Sequence, residues 1–391
     1  MLHAVRAELE TVALEPDAGP ADFRLGLVGW FEYGLRAETL GIPLDLADTP
    51  ARLLRVDRML VVDAESGLGE LVALGDEWAG ELAEWRDAVV ARLTGFTEIT
   101  PRQAAPGRVD DHQDRPPAGV AFLDEDASYA REIRACQRAI ADGEAYQLCL
   151  TTRVELPGMQ PDPVDLLLRL RALSPAHHGG ILRIGDTTLV SSSPERFLTV
   201  DREGHVSTSP IKGTRRRGDS TAEDERLRSE LLASEKEQAE NLMIVDLMRN
   251  DLSRVCEPGS VEVTSLLAVE SYAQVHQLVS TVEGRLSAGR DVVDLLASAF
   301  PAGSMTGAPK RRAAQLLAEI EGRERGAYSG AYGWLGFDGA ADLAMVIRSV
   351  VIDPQGASIG TGGGITALSV PEEEVAEMHL KAEALLGALG V

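Results

Sequence analysis

Two stretches place glutamates three residues apart in a helical pattern: Glu237 and Glu240 in SEKEQAENLMIVDL, and Glu374 and Glu377 in PEEEVAEMHLKAE, with Lys381 one turn further on. Residues three and four apart share a helix face, so each pair aims its carboxylates in one direction. The first pair abuts the apolar run 242–245 and so approaches the interior, where a carboxylate needs a partner and like charges repel unless a cation lies between them. Mg²⁺ suits such a set, because it takes hard oxygen ligands, usually one or two carboxylates completed by waters and an anionic substrate. Spacing alone favours the plainer reading of solvated helix faces, with Glu372 to Glu374 placed to favour a helix N-terminus.

Other candidates are punctuated by glycine. In PIKGTRRRG (210–218), Lys212 precedes Arg215, Arg216 and Arg217, and the local composition reads as a basic surface turn. IGTGGGIT (359–366) follows one strand pattern and precedes a helical one, so its amides could bind an anion. It is no dinucleotide fingerprint, because Ile365 stands where the third glycine is required. PAGSMTGAPK (301–310) likewise fails the phosphate-loop spacing, and tight turns remain open for both stretches. A nucleotide is not indicated.

These residues must be positioned by an irregular alternation of strands and helices, which argues for an α+β fold more than for a doubly wound sheet. Strands are expected over 24–33, 55–62, 147–154, 180–183, 188–192, 197–200, 331–337, 342–352 and 357–360. Helices are expected over 82–93, 127–141, a long one over 221–252, and from Pro371 onward with Ser369 as a possible cap. Residues 101–119, rich in Pro, Gln, Asp and Arg, read as a linker or surface loop between a short region 1–100 and a region 120–391 that carries the reactive clusters.

With 391 residues, 44% of them hydrophobic, the chain can bury a large core. No apolar run long enough to span a membrane and no secretory leader is found, and three widely spaced cysteines fit neither a disulfide framework nor a zinc site, so a reducing, cytoplasmic setting is expected. A formal charge of −24 argues against nucleic acid and anionic membrane as partners.

Taken in order, SSSPERFL, PIKGTRRRG, LLASEKEQAENLMIVDLMRNDLSRV, VHQLVSTVEG, PAGSMTGAPK, YSGAYGWLGF, MVIRSV and TGGGITA resemble the chorismate-utilising enzyme family, over about 121–386. The resemblance implies two large, mainly antiparallel sheets packed together with helices outside and the active site between them. It places Glu240 and Glu377 at the Mg²⁺ ligand positions and Glu237 and Glu374 where the metal's waters are held. Tyr328 and Arg348 match residues that bind a substrate carboxylate, a task suited to a planar guanidinium. Gly363, Gly364 and Lys381 fall where the ring carboxylate and the metal are held. Thr214, Gln277 and Ser304 complete the substrate-binding set.

Glu195 matches a general acid that protonates the departing C4 hydroxyl, which requires a raised pKa; otherwise it is a turn carboxylate paired with Arg196. Many members have His directly before LVS; here Gln277 stands there and His276 precedes it, so either His276 substitutes by a local shift or Gln277 makes an uncharged contact.

Within the family, PIAGT resembles anthranilate synthases and PIKGT resembles aminodeoxychorismate synthases. The Lys212 amine can add to C2 as the C4 hydroxyl leaves, and ammonia can then enter at C4 as lysine departs. An unperturbed lysine is neutral only about once in 2,500 molecules at pH 7, so Lys212 is expected to be tuned down, with Arg215 to Arg217 as the nearby positive charge. Isochorismate and salicylate synthases place a water-activating lysine at the position of Gln147, and an amide cannot remove that proton.

The resemblance therefore implies amination of chorismate to 4-amino-4-deoxychorismate on the route to p-aminobenzoate and folate. Anthranilate synthase component I and an inactive chorismate-binding homologue are the alternatives. None of the cysteines sits in a glycine-flanked nucleophile elbow, so a separate glutamine amidotransferase subunit is expected to deliver the ammonia. The tryptophan-binding LLxS-type segment of many relatives is not found, and no tryptophan binding is expected.

Overall fold

The computed structural model describes residues 1–14, 22–43, 49–63, 66–95 and 120–391. The linker expected at 101–119 lies outside the described residues.

Two large antiparallel sheets organise the chain. The nine-stranded sheet runs Ile211–Arg216, Val275–Arg285, His205–Thr208, Arg196–Val200, Ala341–Met345, Ala331–Gly336, Gly26–Phe31, Ala51–Val56, with Glu262–Ser271 also paired to Val275–Arg285. The seven-stranded sheet runs Gly307–Ala308, Gln147–Pro157, Gly356–Ile365, Ser349–Asp353, Thr187–Ser193, His178–Ile184, with Ala121–Phe122 also paired to Gln147–Pro157. Strands from before residue 100 thus complete the larger sheet.

Alternation along each strand turns one apolar row toward helices. Leu198, Val200, Val282 and Leu343 pack with Ile244, Val245 and Met248 of helix Glu235–Ser253 and with Leu295 and Leu296 of helix Val292–Ala299. On the smaller sheet, Val154, Val350 and Ile359 pack with Leu166 and Leu170 of helix Pro163–Leu173 and Ala382 and Leu385 of helix Pro371–Leu389. Between the sheets lie Trp30, Leu189, Tyr332, Ala344 and Val346.

Five expectations from the sequence need correction. The helix expected over 221–252 is two, Thr221–Ala233 and Glu235–Ser253, broken at Ser234, whose extended backbone lets its side chain accept from the Glu237 amide as an N-cap. The strand expected over 55–62 divides between Ala51–Val56 and Arg58–Val62, the latter pairing with Gly69–Ala73 in a separate ribbon. That expected over 342–352 also divides: Ala341–Met345 belongs to the larger sheet and Ser349–Asp353 to the smaller, so the chain crosses between sheets just where Arg348 adopts a left-handed φ of 50°. Finally, IGTGGGIT is no turn. It lies in strand Gly356–Ile365, in ladder register with Gln147–Pro157 up to Ile365 opposite Leu148. Ser369 is not the cap of the last helix, which begins after Val370; its hydroxyl donates instead to Glu374 Oε1 at 2.7 Å.

Candidate active site

The site forms where the glycine-rich strand of the smaller sheet meets the edge strand Ile211–Arg216 of the larger. A methyl group on Gly364 would stand 2.4 Å from Gln147 Nε2 and 3.4 Å from Lys212 Nζ. On Gly363 it would stand 3.3 Å from Glu374 Oε2, 3.7 Å from Glu377 Oε1 and 3.8 Å from Lys381 Nζ. Neighbours in a strand face opposite ways, so this bare stretch lets groups on both its faces crowd around one point. Glycine serves here by leaving space.

Cations join the two glutamate pairs. Lys212 Nζ is 3.8 Å from Glu240 Oε2, Lys236 Nζ is 3.1 Å from Glu374 Oε1, Arg215 Nη1 is 3.6 Å from Glu237 Oε1, and Lys381 Nζ is 2.6 Å from Glu377 Oε1. Lys236 thereby links helix Glu235–Ser253 to helix Pro371–Leu389. It was missed in the sequence, where its place beside Glu237 was the available signal. Lys381 also donates to the Gly362 carbonyl at 2.9 Å, and Arg348 donates to the Lys381 carbonyl at 2.8 Å. The Tyr328 ring covers Gly360 on the same strand, leaving no room for a side chain there.

Burial raises the Glu195 carboxyl to about 7, against the opposing pull of its hydrogen bond with Ser304 and of Lys212 and Lys381. Near neutral pH it can therefore hold a proton and give it up, as a general acid must. Glu195 is buried, and the alternative pairing with Arg196 is not what sets its charge. Burial, with Glu237 adding, also holds Glu240 above the usual carboxylate range despite Lys212, whereas Lys381 brings Glu377 below it in spite of burial. Burial pushes the Tyr328 phenol up and Arg348 down.

Lys212 departs from expectation. Burial alone lowers it, but Glu240, helped by Glu195 and Glu237, outweighs burial and holds the ammonium above its ordinary value. The three arginines do not push it down, because each is engaged with acids: Arg215 with Glu237 and Glu230, Arg216 with Glu223, Arg217 with Asp224. Lys212 is nonetheless no surface lysine, its side chain being 12% exposed.

His276 does not take the place of the absent histidine. It is buried between Asp224, 2.9 Å from Nε2, and Ser271, 2.8 Å from Nδ1. Gln277 follows it in the strand and so faces the other way, beside exposed Thr214 in the ladder. Both amide atoms of Gln147 are buried without a hydrogen-bond partner. In PAGSMTGAPK, Lys310 is no anion ligand: it is buried, donating to Asp251 Oδ2 and the Ala299 carbonyl, both at 2.5 Å.

The donor set fits a hard divalent cation. Two carboxylates from each of two helices face the same region, and burial, with Glu237 adding, holds Glu240 raised there despite Lys212. They do not form a closed cage. Among the described residues, the trio of ligand atoms lying within 4.8 Å of one another is instead Asp201, Glu203 and His205, on an exposed turn.

The whole arrangement has known counterparts. The model of the chorismate binding enzymes matches residues 2–387. This chain belongs to that family. Among relatives of this chain, an aminodeoxychorismate synthase of Streptomyces pristinaespiralis is 42% identical over 98% of the chain and 53% of its own length. The chloroplastic aminodeoxychorismate synthase of Arabidopsis thaliana is 39% identical over 99% and 43%, so the chain spans about half the length of these relatives. Anthranilate synthase component I of Streptococcus pneumoniae superposes with a TM-score of 0.82 at 27% identity, covering 98% of this chain and 85% of that one. The α+β architecture of two packed antiparallel sheets is thus that of the family.

Proposed function

We propose that this chain aminates chorismate at C4, giving 4-amino-4-deoxychorismate. The observation that carries the reading is the position of Lys212: its amine lies inside the site, 3.4 Å from the methyl position of Gly364 and next to Gln147. A nucleophile thus stands where a substrate ring could reach it, and the neighbouring position holds an amide that cannot activate water.

Lys212 reacts only as the free amine. Its nitrogen forms a bond to C2, the ring double bonds shift, and the C4–oxygen bond breaks as Glu195 supplies the proton that releases water. Ammonia then bonds to C4 and expels the lysine from C2, restoring the ring diene. Tyr328 and Arg348 hold one carboxylate of the dianion, while Gly363, Gly364 and Lys381 leave room and charge for the other. Glu240 and Glu377 would bind Mg²⁺ directly, with Glu237 and Glu374 holding its waters. When bound, the cation neutralises the carboxylates that keep Lys212 protonated and supplies positive charge for the substrate.

Ammonia comes, in this reading, from a separate glutamine amidotransferase. The cysteines of this chain are unsuited to glutamine hydrolysis: all three are buried, and burial raises Cys136 to about 12, Cys256 to about 11 and Cys149 above its ordinary value. The product would feed p-aminobenzoate and folate synthesis in the cytoplasm; among the described residues no helix is long and apolar enough to cross a membrane.

Mass spectrometry of products from chorismate, Mg²⁺ and an ammonium salt tests the proposal. An aminated product retaining the enolpyruvyl ether, absent with Lys212→Ala, is expected. Anthranilate and pyruvate would assign the chain instead to anthranilate synthesis.

A further inference from the structure

Behind the site lies a buried guanidinium that the reaction does not touch. Arg325, in the segment after helix Lys310–Glu321, uses all of its N–H donors. Nε donates to Glu321 Oε2 at 2.9 Å; Nη1 donates to the Met305 carbonyl at 2.7 Å and Ser329 Oγ at 3.2 Å; Nη2 donates to the Cys149 carbonyl at 2.8 Å and Glu321 Oε1 at 2.7 Å. Its Cζ lies over the Tyr33 ring, 4.3 Å from the ring centre. Glu321 Oε1 also accepts from the amide and hydroxyl of Thr151, at 2.9 and 3.0 Å.

Apart from Glu321, each acceptor is close in sequence to a site residue. Met305 follows Ser304, which hydrogen-bonds with Glu195; Ser329 follows Tyr328; Cys149 is two residues beyond Gln147 on one strand face. Three separate chain segments are thus referenced to one rigid planar fork, itself fixed by Glu321. A flexible ammonium cannot reproduce that geometry.

We infer that Arg325, held by Glu321, is a positioning residue that sets Ser304, Tyr328 and Gln147 in their mutual places for the reaction. The inference rests on chorismate being the substrate, and calorimetric binding of chorismate to the unaltered chain tests that premise separately. Absence of binding there overturns the functional reading itself.

Given binding, Arg325→Lys is compared with the unaltered chain in kcat, KM and the pH profile of kcat, per folded molecule by circular dichroism. A misplacement near 1 Å costs on the order of 10²-fold in rate, which is the expected loss of kcat. The descending limb governed by Glu195 should also move to higher pH. The groups acting on Glu195 are Ser304, Lys212 and Lys381, and losing the Ser304 bond removes the first restraint on its rise. A merely structural role leaves that limb in place.

Folded Arg325→Lys with unaltered kcat and pH limb overturns the inference. Should that variant not fold, Ser329→Ala, which deletes one bond beside Tyr328, decides. A several-fold rise in KM for chorismate supports the inference, and an unchanged KM overturns it.

Discussion

Replacing Glu195 with glutamine should stabilise the protein in alkali while slowing its chemistry. In the folded chain burial raises this carboxyl from an ordinary 4.5 to about 7. Between those values the folded chain keeps a proton that the unfolded chain has released, so stability is fully present below the lower value and falls as pH rises through the upper one. At 1.36 kcal/mol for each pH unit, the loss amounts to about 3 kcal/mol when ionisation is complete. Glutamine keeps the shape and cannot ionise. Urea unfolding of both proteins at pH 5, 6, 7, 8 and 9 should show their difference in stability growing by about 2.5 kcal/mol from the first pH to the last, the rest having been lost below pH 5. The general acid is lost at the same time, at a cost of roughly 10²- to 10⁴-fold in kcat. A difference that stays flat with pH would refute the argument, because Glu195 would then ionise alike in both states.

Gly360→Ala would drive a methyl group to 1.9 Å from the Tyr328 ring. It should cost about 1–3 kcal/mol in urea unfolding and weaken chorismate binding in calorimetry by roughly tenfold or more. Chelation by EDTA should abolish amination, and Glu377→Gln should raise the Mg²⁺ concentration for half-maximal activity at least about tenfold in steady-state assays; activity indifferent to both would remove the metal from the proposal.

Much of the site was legible because its signals are local. Glutamates three apart share a helix face whatever surrounds the helix, so Glu237 with Glu240 and Glu374 with Glu377 could be paired directly from spacing. The ordered motifs carried the fold and the family, and the alternation at 147–154 carried a strand. Even so, spacing favoured solvated faces for the glutamates; only the resemblance, and then the meeting of the helices at Lys236, argued otherwise.

What the local pattern could not carry depends on distant parts of the chain. A continuous apolar rhythm over 221–252 conceals the break at Ser234, since its hydroxyl competes for the Glu237 amide without disturbing the pattern on either side. Nothing in 342–352 says that its halves belong to different sheets, because strand pairing is chosen by partners far along the chain. The glycines at 362–364 read as a loop in isolation, yet the ladder with Gln147–Pro157 makes them strand, and absent side chains become the opening for Lys212, Lys381 and the glutamates. Charge is the most dependent on tertiary structure. The arginines next to Lys212 in sequence are drawn off by acids, while Glu240, on another element, decides its protonation. The sequence by itself determined which groups are available and how they repeat along each element; the packing of two sheets decided which of them share one small, poorly solvated volume, where electrostatic interactions are strongest.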